Sequence, residues 1–303
     1  MPGPRVFLLI PTHTTRHLAP ALASVACSTD RPDGVVLTCD NDRPDIPELA
    51  LRTWRTIDAP RRPPLVVTHR SFRGVASLNQ VRNNGLRALD ERFGLRDEDL
   101  VVVVDGDTCL EPRALSEHRA ERADLVIPFR VDLTEDEVGL FEPAELAGGA
   151  FPPMDRLLTP TRLERLAARQ QRYERQLRQK KTPIVGRLVK AHKPKLIGGH
   201  HAVRVRALRA VNGYDEAYTG YGYDDDDLSR RLHRTGAGVS IRVGDVHAFH
   251  LWHPTRAPEK PSDAPGYGRF IDDAGDPIRA DLGWQTPGDQ PEVVTIEESA
   301  CKG

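Results

Sequence analysis

The chain has 303 residues, with 43 Lys and Arg against 44 Asp and Glu for a formal net charge of −1; 39% of its residues are hydrophobic and 29% charged. That length fits one large domain or two ordinary ones around a buried core, and the near-neutral balance argues against a dedicated nucleic-acid binder, which would be basic. No run approaches the ~18 apolar residues of a membrane span, and the apolar core of the leading MPGPRVFLLIPTH is too short for a signal peptide, so neither an integral membrane nor a secreted product is expected. Cys27, Cys39, Cys109 and Cys301 show no CxxC spacing, which indicates neither a zinc site nor a disulfide framework and suits a reducing, cytoplasmic setting.

In chain order, Val6–Ile10 reads as a strand stopped by Pro11, with a helix following from about His17 to Ala26. Gly34–Cys39 is a second strand, ended by Asp40, Asn41 and Asp42, and Leu65–Thr68 a third. Leu78–Leu89 reads as a helix with Val81, Leu86 and Leu89 on one face, and Leu100–Val104 (LVVVV) as a strand running straight into Asp105-Gly106-Asp107. Continuous apolar strands separated by helices imply a parallel sheet covered on both faces, and such sheets bind ligands beyond the carboxyl ends of their strands. Residues 129–195 read as an insertion around a helix at Thr161–Lys181, striped by Leu163, Leu166, Tyr173 and Leu177. Residues 162–195 hold twelve Lys and Arg against two Glu. That helix is either a solvated surface element with one packed face or a basic face, through Arg169, Arg172 and Arg175, for an anionic membrane or a phosphate-bearing acceptor. Residues 256–303 are dense in Pro, Gly and Asp and read as a loop-rich wrap or a partly disordered tail.

Three constellations carry chemistry. Asp105 and Asp107 leave the strongest strand together, and two such carboxylates sit close only around a cation; a hard ion such as Mn²⁺ or Mg²⁺ would serve and leave positions for diphosphate oxygens. Gly220-Tyr221-Gly222-Tyr223 precedes four acids, Asp224 to Asp227, where a helix should begin; the helix N-terminus accounts for one or two of them only. His247, His250 and His253 follow an apolar run at three-residue spacing, which suggests a metal ligand with anion or substrate contacts.

This order (PTH after a first strand, acids after the second, Arg82-Asn83 on a helix, DGD, Gly198-Gly199, NGYDEAYTGYGYDDDDLSRRL and HLWHP) resembles a nucleotide-sugar glycosyltransferase of the GT-A fold, close to family 2, with a galactosyltransferase-type C-terminal segment. The resemblance covers roughly residues 5–128 and 196–254 and implies a Rossmann-like α/β fold with a mixed, mainly parallel sheet. It divides the chain into a nucleotide-sugar-binding half (1–128), the basic insertion (129–195), an acceptor and catalytic half (196–255) and the tail (256–303). It implies that Pro11, Thr12 and His13 meet the nucleotide, that Asp40 or Asp42 meets base or ribose, and that Arg82 and Asn83 lie near diphosphate and sugar. Gly198 and Gly199 would border donor sugar and acceptor, with Tyr221 nearby at a position where Trp is common. Asp105, Asp107, His247 and His250 would hold the metal, with Asp105 also beside the donor. Asp225 would be the catalytic base and Asp224 a sugar contact, although Glu is commoner at the latter position.

The implied reaction is inverting transfer from a nucleoside-diphosphate sugar, UDP favoured and the sugar weakly galactose or N-acetylgalactosamine, to a glycan, lipid-linked or small-molecule acceptor. One displacement needs one carboxylate base and one metal to neutralise the leaving diphosphate. Alternatives are a sugar-phosphate nucleotidyltransferase, which normally carries a basic Gly-rich loop that PTHTTRH lacks, and a non-catalytic nucleotide-sugar-binding module. No nucleic-acid partner is expected, and the location would be cytoplasmic, with peripheral contact at the inner membrane face if the basic helix engages lipid.

Overall fold

The computed structural model describes residues 3–40, 44–220, 222–254, 260–272, 278–288 and 293–298. Asp42, Tyr221 and Cys301 lie outside the described residues. The elements run β1 (Val6–Thr12), α1 (Leu18–Ala23), β2 (Gly34–Asp40), α2 (Asp45–Thr56), β3 (Leu65–Arg70), α3 (Leu78–Phe93), β4 (Leu100–Val104) and β5 (Thr108–Leu110). They continue with α4 (Ala114–Ala120), β6 (Leu125–Ile127), β7 (Phe129–Asp132), α5 (Pro143–Ala147), α6 (Met154–Leu157) and α7 (Pro160–Lys180). Last come β8 (His200–Arg204), α8 (Val205–Val211), α9 (Asp224–Arg234), β9 (Val239–Ile241), β10 (His247–His250), α10 (Tyr267–Asp272) and β11 (Val293–Glu298).

Eight strands form one sheet in the order β11-β3-β2-β1-β4-β8-β6-β9. The expected parallel block is β3-β2-β1-β4, and every residue of β1, β2 and β4 is buried. The continuous apolar runs explain this: a strand covered on both faces has no polar face to alternate. Helix α3 lies close enough on this block that a Cβ at Gly85 would overlap Leu9 and crowd Thr38. The helix expected from His17 to Ala26 is shorter: α1 tightens into a 3-10 turn at Ser24–Cys27, where the Ser24 hydroxyl donates to the Ala21 carbonyl at 2.7 Å.

Strand β8 is antiparallel to both β4 and β6, so the second half of the chain enters the middle of the sheet. A separate sheet, β5-β10-β7, carries the last histidines beside the acids that follow β4. Two expectations change here. Phe129–Asp132, at the start of the stretch read as an insertion, is a strand of this small sheet, pairing parallel with β10. Part of the supposed loop-rich tail forms β11, antiparallel on the free edge of β3, with Glu298 and Glu297 paired to Arg55 and Arg92. Among the described residues no helix is long and apolar enough to cross a membrane.

Candidate active site

The parallel block delivers its carboxyl ends to one place. Asp105 leaves β4 with its amide donating to the Gly199 carbonyl at 3.4 Å, while the Gly106 amide donates to Pro11 at 3.0 Å. Glycine is needed between the two acids because a Cβ there would come within 2.7 Å of the Thr12 side chain. Arg130, on β7, lies 3.8 Å from Asp105 and 3.2 Å from Asp132. Burial and the adjacent Asp107 push the Asp105 carboxyl up from its ordinary range. Burial acts on Asp107 in the same direction, yet His250, His253 and Arg130 together hold it down at about 2.

The histidines of the HAFHLWH run divide. His250 Nε2 lies 3.5 Å from Asp107 Oδ2, and its Nδ1 lies 3.3 Å from Asp132 Oδ1. His253 Nε2 reaches the same Asp107 oxygen at 3.1 Å. Asp107, His250 and His253 each present one ligand atom within 4.8 Å of the others. His247, expected among the metal ligands, stands apart from this group. It is buried against Glu111, with its amide at 3.1 Å and Nδ1 at 3.3 Å from the carboxylate oxygens, and its Nε2 has no partner. The reason is the strand: residues three apart in β10 project to opposite faces, whereas His253 lies past the strand end and swings back. Its neighbour Trp252 accepts from His17 Nε2 at 2.9 Å, which ties this loop to the one after β1.

The four acids of α9 have four surroundings. Tyr223, the residue before the helix, has φ 68° and Gly222 φ 100°, so the chain turns through left-handed backbone into the first turn. Arg82, buried on α3, donates from Nη1 to Asp224 and to Asp225, each at 2.9 Å, and lies 5.0 Å from the Tyr214 ring centre. Burial disfavours that guanidinium's charge, but Asp225, Tyr214, Asp224 and Asp105 hold it protonated. Burial and the charge of Asp225 push Asp224 up to about 7. The Asp225 side chain is the more accessible, 27% exposed against 12% for Asp224. A Cβ on Gly198 would overlap the Asp225 Oδ2, and one on Gly199 would come within 2.7 Å of Arg130 and 3.0 Å of Asp105, so the glycine pair lets these side chains close directly on the backbone. Asp226 faces Lys195 at 3.3 Å, and Asp227 is buried between Arg230 and Arg231 at 3.1 and 2.8 Å.

Other expected residues serve the frame. Asn83 is buried, donating to the Tyr214 carbonyl (2.8 Å) and to Glu216 (3.0 Å) and accepting from the Tyr214 amide (3.0 Å). It is fully buried and positions the 214–216 turn from within. Asp40 ends β2 paired with Arg70 at 2.8 Å, one of its oxygens lacking a partner. A cleft of about 260 Å³ lined by Arg70, Arg73, Ser77, Gln80 and Glu216 opens at this end of the sheet. Thr12 is buried at the end of β1 and His13 is exposed just beyond it. Sequence reasoning did not single out Arg130 or Asp132, which stand in no run that announces them, nor Tyr214, which lies within the NGYDE run but whose hydroxyl finds its partner, His201 Nε2 at 2.7 Å, only in the fold.

Residues 188–253 match the family described as the N-terminal domain of galactosyltransferase. Over 52 residues the chain is 36% identical to beta-1,4-galactosyltransferase 6 of Rattus norvegicus and, equally, of Homo sapiens; this is 17% of the chain and spans only 14% of either relative's length. Among solved structures, S. aureus TarS 1–349 in complex with UDP-GlcNAc is similar at TM-score 0.55 and 13% identity, over 93% of this chain and 68% of that one. GalNAc-T7 with UDP, GalNAc and Mn²⁺ is similar at TM-score 0.53 and 14% identity, over 89% of this chain and 48% of that one. The chain has the GT-A glycosyltransferase fold, with a galactosyltransferase-type segment at 188–253.

Proposed function

We propose that this protein is an inverting, divalent-metal-dependent glycosyltransferase that moves a sugar from a nucleoside diphosphate, UDP favoured, to an acceptor hydroxyl. One observation carries the reading: Asp225, held by Arg82, packs against Gly198, and Asp105, the first acid of the DGD turn, packs against the adjoining Gly199, so the candidate base and the metal-side acids meet at one glycine pair. The galactosyltransferase-type segment favours galactose or N-acetylgalactosamine as the sugar.

Asp107, His250 and His253 are the residues that would hold the metal. One carboxylate and two imidazoles suit Mn²⁺ better than Mg²⁺, which prefers oxygen ligands alone. Such an ion, when bound, supplies positive charge for the departing diphosphate. Asp105 and Arg130 border the same space, and Arg130 adds a fixed cation toward it.

The acceptor oxygen forms its bond to the anomeric carbon on the face opposite the diphosphate. The carbon–oxygen bond to the diphosphate breaks and its electron pair leaves with that group, while the hydroxyl proton passes to Asp225. The accessible carboxylate suits the base, and Asp224, more buried and pushed up to about 7, suits a hydrogen bond to a sugar hydroxyl. Arg82 keeps both side chains aimed inward. A single displacement of this kind inverts the anomeric centre.

UDP-sugar turnover with Mn²⁺ tests the reading. The expected product is nucleoside diphosphate, with inverted configuration in the glycoside by NMR; pyrophosphate from a triphosphate and sugar phosphate would instead mark a nucleotidyltransferase. Asp225→Asn keeps shape and hydrogen bonding but removes basicity, so turnover should fall about 10²–10⁴-fold with donor binding nearly unchanged. Turnover within about threefold of the parent would move the base elsewhere, since a lost general base is worth far more.

A further inference from the structure

The basic stretch of the chain is pinned along one part and free along another. Helix α7 is committed to the body: Leu166 and Tyr173 are buried, Arg169 lies 4.1 Å over the Phe129 ring, and Arg162 pairs with Glu137 at 2.7 Å. Past the helix the arrangement changes. Arg175 to Lys195 holds eight Lys and Arg and no acid.

There the chain makes a 3-10 turn, Val185–Leu188, fastened from below. The Lys180 ammonium donates to the carbonyls of Ala191 at 2.5 Å and Lys193 at 2.7 Å, and Gly186 packs where a Cβ would come within 2.6 Å of the Lys180 carbonyl. The turn points Ile184 and Leu188 outward, each 82% exposed, with Val185 beside them. Lys181, Arg187 and Lys190 are exposed around these aliphatic side chains.

We propose that the 181–190 turn docks on an anionic phospholipid surface, with Ile184 and Leu188 entering the headgroup–acyl boundary and the surrounding cations engaging lipid phosphates. Both halves of the pattern are required for that occupant. A polyanion such as nucleic acid would satisfy the cations but gains nothing from two outward aliphatic side chains, whereas interfacial binding draws on apolar insertion and on attraction to anionic lipid together. The turn also lies a short way along the chain from Gly198 and Gly199, and on that path Lys195 reaches Asp226 of α9 at 3.3 Å. Docking here would suit an acceptor borne by lipid; that consequence alone rests on the proposed reaction, the docking does not.

Co-sedimentation of the full chain with vesicles of phosphatidylcholine, with and without phosphatidylglycerol, tests the proposal. The parent should bind the anionic vesicles, and raised salt should weaken binding because exposed charges are screened. The doubly substituted Ile184→Ser, Leu188→Ser chain and, separately, Lys181→Glu, Lys190→Glu should each lose at least about tenfold in binding, as both components contribute. Thermal midpoint and donor hydrolysis should match the parent in both, and a chain inactive on every donor would sink the proposed reaction while leaving the vesicle result to stand. No preference of the parent for anionic vesicles would overturn the docking. Equal binding by the serine variant would overturn it in favour of a polyanion. A parental dimer by light scattering that the serine variant dissolves would assign the aliphatic pair to a second copy of the chain.

Discussion

Gly198 leaves room for a carboxylate and for nothing else. Its backbone lies outside the left-handed region, so alanine there adds no dihedral strain, but the new methyl would overlap Asp225 Oδ2 and push that carboxylate off Arg82. Misplacing a reacting group by about 1 Å costs about a hundredfold in rate. Gly198→Ala is therefore expected to lower turnover by one to two orders of magnitude, with Mn²⁺ affinity and thermal midpoint close to the parent. Parental turnover would show that the base tolerates displacement and so is not Asp225. At this scale the sequence was legible in one way and opaque in another. The run of four acids is conspicuous, but its division into a shared pair on Arg82, a lysine contact at Asp226 and a buried ion pair at Asp227 depends on which neighbours α9 meets. Those neighbours are brought by α3 and by residues near 195, far away in the chain.

Strand β10 shows how an element sorts its residues. Spacing of three places His247 and His250 on one face of a helix but on opposite faces of a strand, and the motif alone does not say which period applies. With the strand in place, His253 joins Asp107 and His250, while His247 turns to Glu111. By titration calorimetry with Mn²⁺, His250→Ala and His253→Ala should each weaken binding by about tenfold or more, because even an outer-shell partner is worth that much. His247→Ala should bind as the parent does. A parental affinity for His253→Ala with a loss for His247→Ala would reverse the assignment.

The same contrast runs through the other strands. β1 to β4 are readable because both faces are apolar, and Leu65–Thr68 and Leu100–Val104 fall where their runs say. β8 is not, since His200, His201 and Arg204 give it the look of a polar loop. It is buried because each polar group finds a partner: His200 meets His118 at 3.1 Å, His201 meets Tyr214, and Arg204 donates to the Glu98 carbonyl at 2.6 Å.

For the molecule as a whole, those histidines set a pH limit. Burial pushes His118 down to about 3, His201 and His233 to about 4, and His200 well below its ordinary value. Unfolded, each would titrate near ~6.5, so between that pH and the folded value the unfolded chain binds more protons. Their contribution is then complete above about pH 6.5 and falls as pH drops, each such histidine removing up to about 1.4 kcal/mol per pH unit until it protonates in place. Urea unfolding followed by fluorescence should give a markedly lower midpoint near pH 5 than near pH 7.5, the slope easing in His118→Phe. A midpoint unchanged across that window would mean that these imidazoles meet water before the chain unfolds.

The position of β8 has a consequence for motion. Because Val101 pairs with Val203, and Val103 with His201, the strand leading into Asp105 and the strand leading out of the glycine pair are neighbours in one hydrogen-bonded ladder. Bending the sheet at this point would shear that ladder, which ties the two halves of the chain together in mid-sheet. Traffic through the cleft therefore falls to the segments outside the ladder: the exposed 71–76 stretch beyond β3 and the short run after His250. For the proposed donor, exchange should be timed by the 71–76 stretch, and lengthening or stiffening it would retime turnover while leaving Asp107, His250 and His253 in place, whereas the run after His250 carries His253 itself and couples motion to the metal group.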